Sequence, residues 1–225
     1  MPKGLLILLL LLVGCAASRE GSVAAEGRVS GEFAPPATLP VVPNLLDRPP
    51  PQVTEAAASA RSSAIGKPAP PFELPNQDEQ TVSLSQLRGQ WVVLYFYPAD
   101  DTPGCTCQAN EFTQLIQSFR ESNAKVIGVS VDRPEIHRRF IKKYNLQIPL
   151  LSDPGRGVMR EYGAWVDIPR GLAAPGMVIR STYLIDPAGT IAWHWPEVIP
   201  QGHAQRVMEK LNEIQRPGTQ RAGPG

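Results

Sequence analysis

The chain is poor in cysteine and has no sustained run of like charge. Three cysteines cannot form a disulfide framework, so each needs its own explanation. Lys and Arg number 22 against 21 Asp and Glu, a formal net charge of +1, and no Lys/Arg cluster appears. That balance gives neither a nucleic acid nor an anionic membrane surface a partner. No apolar stretch is long enough to span a bilayer, since the leading run ends after Leu5–Val13.

That leading run reads as a processing segment rather than as structure. Lys3 supplies a short positive region, Leu5–Val13 the apolar core, and Leu12-Val13-Gly14-Cys15 closes it among small residues. Residues 1–15 therefore read as a signal segment. The closing tetrapeptide resembles the lipobox of bacterial lipoproteins, in which the cysteine carries the lipid. That resemblance implies lipidation at Cys15 and an exported, membrane-anchored protein facing the periplasm or an equivalent space. Ordinary cleavage within Cys15-Ala16-Ala17-Ser18 to a soluble product is the rival reading. Residues 16–64 read as a disordered linker, with Phe33 the one aromatic and prolines at 35, 36, 40, 43 and 49–51. A tether of this composition reaches roughly 40 Å. Residues 216–225 read as a disordered tail.

Between them, residues 65–215 have the length of one domain. Trp91–Tyr97 is a continuous run of β-formers, as expected of a strand buried on both faces, and Lys125–Val131 is a second. Phe112, Leu115, Ile116 and Phe119 recur at helical spacing after the first strand, as do Ile136, Phe140, Ile141 and Tyr144 after the second. This β-α-β-α order implies a parallel sheet with helices on both faces. Ser181–Ile185 and Thr190–Trp195 flank Asp186-Pro187-Ala188-Gly189, a type I turn that pairs them antiparallel. Ala204, Val207, Met208 and Leu211 predict a closing helix. Phe72–Leu74 and Gln80–Val82 predict an N-terminal β-hairpin, and residues 163–179 read as a loop near the active site. The fold class is α/β, a thioredoxin-like fold with a central mixed sheet flanked by helices.

The chemistry concentrates in Tyr95-Phe96-Tyr97-Pro98-Ala99-Asp100-Asp101-Thr102-Pro103-Gly104-Cys105-Thr106-Cys107. Thr102 reads as a helix N-cap and Pro103 as the first helical residue, where a missing N–H costs nothing. Cys105 then lies in the first turn, where the helix favours a thiolate. Cys107 is rotated from it by about 200°, toward Asn110, Glu111, Gln114 and Ser118. Cys105 is thus expected to be sheltered and Cys107 wet. His137 and His203 read as structural or solvated, and His194, alternating with Trp193 and Trp195, as facing water.

Pro98 through Cys105 resembles the peroxiredoxin pattern of Pro, three residues, Thr, two residues, Cys. The longer string is similar to the bacterioferritin-comigratory, or Q-type, subgroup. Arg180–Asp186 resembles that family's later Arg-bearing strand, and Gly66-Lys67-Pro68-Ala69-Pro70 its domain start. The resemblance implies a thioredoxin-dependent type of peroxidase that reduces hydrogen peroxide and organic hydroperoxides, in antioxidant defence. Cys105 would be the peroxidatic cysteine, passing through sulfenic acid. Arg180 would favour the thiolate and steady negative charge on the peroxide, Thr102 would offer its hydroxyl, and Pro98 would shield the sulfur. No cofactor or metal is implied. The partners are a hydroperoxide, a thioredoxin-like or small-thiol reductant and, through Cys15, a membrane, with no nucleic acid.

The sequence departs from the subgroup at the usual resolving position, five residues after Cys105, which here is Asn110. Cys107 is the remaining candidate resolving cysteine. A Cys105–Cys107 disulfide, an intermolecular disulfide and direct reduction by an external thiol all stay open, the lost position favouring the last. An exported thiol–disulfide oxidoreductase, or a copper-binding protein using Cys105 and Cys107, is the alternative function.

Overall fold

The computed structural model describes residues 64–168 and 176–216. The expected signal segment with Cys15, the linker to residue 63 and the tail from 217 lie outside the described residues. A short hairpin comes first, β1 (Glu73–Pro75) with β2 (Thr81–Ser83), paired antiparallel. The main sheet has five strands: β3 (Trp91–Phe96), β4 (Ala124–Ser130), β5 (Leu150–Ser152), β8 (Ser181–Ile185) and β9 (Ile191–Trp195). Their order across the sheet is β5-β4-β3-β8-β9. β3 runs parallel to β4, and β4 to β5, while β8 is antiparallel to both β3 and β9. The helices are α1 (Pro103–Gln114), α2 (Ile116–Glu121), α3 (Pro134–Tyr144), α4 (Gly157–Glu161) and α5 (His203–Gln215). This is the mixed, thioredoxin-like sheet that the sequence predicts.

The continuous apolar run of β3 follows from its central place. Alternate side chains point to opposite faces of a strand. Val93, Tyr95 and Tyr97 enter one core with Phe112 and Phe119, and also with Val207 and Leu211 of α5. Val92, Leu94 and Phe96 enter the other core with Leu74, Met159 and Tyr162. Both cores exclude water, so both faces of β3 carry aliphatic or aromatic side chains. The strand therefore ends at a fixed level, and the chain beyond it emerges at the sheet's carboxyl edge.

Three expectations need correction. The helix predicted through Phe112–Phe119 breaks at Leu115, the cap of α1, before α2 begins. Phe112 and Phe119 stay fully buried across the break, whereas Leu115 and Ile116 are half-buried. Residues 163–179 are not a plain loop. β6 (Trp165–Asp167) and β7 (Gly176–Val178) pair antiparallel, with residues 169–175 outside the described part. Finally, His194 does not face water. It is only 7% exposed and stacks on Tyr183, its cross-strand partner, with ring centroids 4.0 Å apart. Alternation along β9 was read correctly, but both faces of the sheet are covered, and Trp193 and Trp195 pack toward α5.

Candidate active site

The loop from Tyr97 to Thr102 joins β3 to α1. Asp101 takes a left-handed turn at φ 61°, and Thr102 is extended at φ −84°, ψ 148°. Proline at the first helical position suits this entry, and the first helical hydrogen bond runs from Thr106 N–H to Thr102 C=O at 2.9 Å. Thr102 is the cap by position, but its hydroxyl makes no capping bond and instead donates to Ala99 C=O at 3.2 Å. The Gly104 and Cys105 N–H groups thus have neither an intrahelical acceptor nor a side-chain cap, and they remain available to an anion.

Cys105 is a free thiol, 2% exposed. Arg180, immediately before β8, places Nη2 3.2 Å from its Sγ. The other arm of the guanidinium donates from Nη1 to Gln108 Oε1 at 2.7 Å. Gln108 is fully buried one helical turn after Cys105, on the same face of α1. A neutral carboxamide holds the guanidinium without cancelling its charge, which is left for the sulfur. A thiolate there would receive a charge-assisted hydrogen bond as well as the partial positive end of α1. Pro200 crowds Gly104, where a Cβ would lie 3.3 Å from its ring and 3.6 Å from Arg180 Nη2.

Below the sulfur lie buried polar groups that sequence reasoning missed. Tyr95 and Tyr97 stack at 5.4 Å, and burial first, then the nearby Asp100 carboxylate, pushes both phenols well above their usual range. They stay protonated. Tyr97 Oη donates to Asp100 Oδ1 at 2.6 Å, and Asp100 Oδ2 is 2.7 Å from His137 Nδ1 on α3. His203 at the start of α5 meets Thr182 Oγ1 at 2.9 Å; burial, then Arg206 and Arg180, lowers its pKa to about 3. The polar side chains spaced from Cys105 at helical intervals were the signal for Gln108. Asp100 and His137 offered none, being 37 positions apart.

The structure brings Arg180 within hydrogen-bond distance of Cys105. Pro98 is exposed and lines a groove of about 450 Å³ with Val131, Trp165, Met177 and Val178. Thr102 is exposed, its hydroxyl turned to Ala99. Cys107 is not wet as expected; it is 5% exposed, with Sγ 3.8 Å from Glu111 Oε1. Glu111 Oε1 also accepts the Gly202 N–H at 2.7 Å, at the start of α5. Asn110, the usual resolving position, is half-buried.

A sulfur sheltered from water yet bonded to a guanidinium is suited to attack on a small electrophile, and on a thioredoxin-like sheet this defines a thiol peroxidase. The chain belongs to the AhpC/TSA family, whose model matches residues 65–194. It is 40% identical over 150 residues to the peroxiredoxin bcp of Coxiella burnetii, covering 67% of this chain and 99% of that one. With the peroxiredoxin bcp of Helicobacter pylori it shares 40% identity over 148 residues, 65% of this chain and 97% of the other. The bacterioferritin comigratory protein of Xanthomonas campestris, described for its alkyl peroxide reduction, superposes with a TM-score of 0.61 at 30% identity. That match covers 64% of this chain and 92% of the other. Peroxidoxin BcpB of Mycobacterium tuberculosis gives 0.61 at 33% identity, over 68% and 99%. The activity is that of a thiol-dependent peroxidase, not that of the alternative disulfide oxidoreductase or copper carrier.

Proposed function

We propose that Cys105 is the attacking thiol, and that it reduces hydrogen peroxide and organic hydroperoxides with Arg180 as its electrostatic partner. The contact from Arg180 Nη2 to Cys105 Sγ, 3.2 Å at the start of α1, carries this reading. The thiolate attacks the terminal peroxide oxygen, the S–O bond forms as the O–O bond breaks, and sulfenic acid results. The departing hydroxide or alkoxide takes a proton from water. Arg180 and the unclaimed N–H groups of Gly104 and Cys105 face the charge that develops in this step. Thr102 joins them once its hydroxyl leaves Ala99. Cys105→Ser should abolish peroxide consumption, and full activity in that variant would refute the assignment.

Regeneration falls to a thioredoxin-like or small-thiol donor acting on the sulfenic acid. Asn110 at the usual resolving position supports this, and so does the helical phase that turns Cys107 away from Cys105. We further propose that the enzyme is an exported lipoprotein held to a membrane through Cys15, with the proline-rich segment as its tether. No helix among the described residues is long and apolar enough to cross a membrane, so attachment would rest on the lipid. Metabolic labelling with a palmitate analogue should be lost in Cys15→Ala; labelling that survives would overturn the anchor. A donor confined to the cytosol could not reach such a domain.

A further inference from the structure

Peroxide attack depends on where α1 begins, and the turn before it is fastened by groups that take no part in the chemistry. Asp100 sits at the middle of this turn, its side chain 1% exposed. Both carboxylate oxygens are occupied from different elements: Oδ1 by Tyr97 Oη at 2.6 Å and Oδ2 by His137 Nδ1 at 2.7 Å. Its backbone N–H donates to Asp132 Oδ2 at 2.8 Å, and Ser130 Oγ, also at 2.8 Å, donates to that same oxygen. Tyr97 and His137 are 1% and 0% exposed. His137 Nε2 has no hydrogen-bond partner. The tautomer protonated on Nδ1 therefore leaves a bare lone pair at Nε2, not a buried unsatisfied donor. The imidazole has one polar task here, which is to hold Asp100.

We propose that His137 is a positioning residue for peroxide reduction. Through Asp100 it fixes the Ala99–Thr102 turn, and thereby the direction in which Cys105 Sγ meets Arg180. A neighbouring tie supports the idea that α3 is the platform for this turn. Asp101 accepts from Lys143 Nζ at 2.7 Å and from Tyr144 Oη at 2.6 Å, both at the far end of α3. The exposed tie can exchange with water, whereas the buried one cannot. Removing His137 leaves Asp100 Oδ2 with no donor in a dry site, so the turn must move to find one.

The inference rests on Cys105 being the attacking thiol, and the test separates the two claims. Cys105 oxidation by hydrogen peroxide is followed by rapid quench in single turnover of the full-length protein. Recycling of oxidised Cys105 by dithiothreitol is timed separately. His137→Leu should slow oxidation roughly 10- to 100-fold, the cost of about 1 Å of misplacement, and leave recycling unchanged. His137→Asn puts an amide N–H where Nδ1 stood and should recover most of the loss. Tyr97→Phe removes one donor and should slow oxidation roughly three- to tenfold, the worth of one hydrogen bond. It also supplies the answer if His137→Leu does not fold. Oxidation at the wild-type rate in these variants overturns the proposal, as does recycling slowed as much as oxidation, or His137→Asn no better than His137→Leu. Peroxide consumption surviving in Cys105→Ser would instead sink the attacking-thiol assignment, whatever His137 shows.

Discussion

Arg180 divides its two arms between Gln108 and Cys105, and the fork geometry of the guanidinium is what allows this. Lysine offers a point charge on a flexible stem, without the planar fork that presents separate donors to both partners. Arg180→Lys should therefore slow Cys105 oxidation roughly 10-fold or more, measured by peroxide competition. Gln108→Leu keeps the volume but frees the guanidinium, and a loss of roughly three- to tenfold is expected. His203 sets a pH limit. Its folded pKa, lowered to about 3, lies below the unfolded value. The unfolded chain therefore binds the proton first, and stability is lost as pH falls below about 6.5. The loss from this group is about 2–3 kcal/mol by pH 4.5. Denaturant midpoints should fall less steeply with acid in His203→Gln than in the wild type. Cys105 and Arg180 were legible in the sequence because one lies in a local motif and the other in a recognisable strand start. Asp100 was not, because its partner His137 is brought by folding from 37 positions away, and Gln108 showed only its helical phase, its partner Arg180 lying 72 positions away.

The elements long enough to show a period were legible, as was the short β1–β2 hairpin, but the remaining short ones were not. β3, β4 and α3 appear within a residue or so of where patterning put them, α5 starts there but runs on to Gln215, and β8 lies where the Asp186–Gly189 turn implied it. Gly189, at φ 81°, closes that turn with its N–H on Asp186 C=O at 2.8 Å. β5, β6 and β7 have three residues each and α4 five, too few for a helical or alternating pattern to register. The break at Leu115 was hidden because the apolar stripe continues across it. Phe112, just before that break, is wholly buried against Tyr95 and Phe119 at centroid distances of 4.9 and 5.9 Å. Phe112→Ala should cost about 3–5 kcal/mol by chemical denaturation.

Over the whole molecule, regeneration is the property that most needs measurement. Cys105 and Cys107 share an intact helix on different flanks, so joining them requires the first turn of α1 to unwind. Intact-mass analysis after one equivalent of peroxide should show one added oxygen that an external thiol removes. Loss of two hydrogens within one monomer would instead identify an internal disulfide and overturn direct regeneration. The packing beneath α1 also gives the enzyme a built-in optical reporter. Trp195 sets its edge against His203 at 5.5 Å, and His203 meets Phe112 at 6.0 Å on the underside of α1. Only a route that unwinds that helix displaces Phe112 and changes what quenches the indole, so tryptophan emission should stay unchanged through the cycle when an external thiol removes the oxygen and shift when an internal disulfide forms.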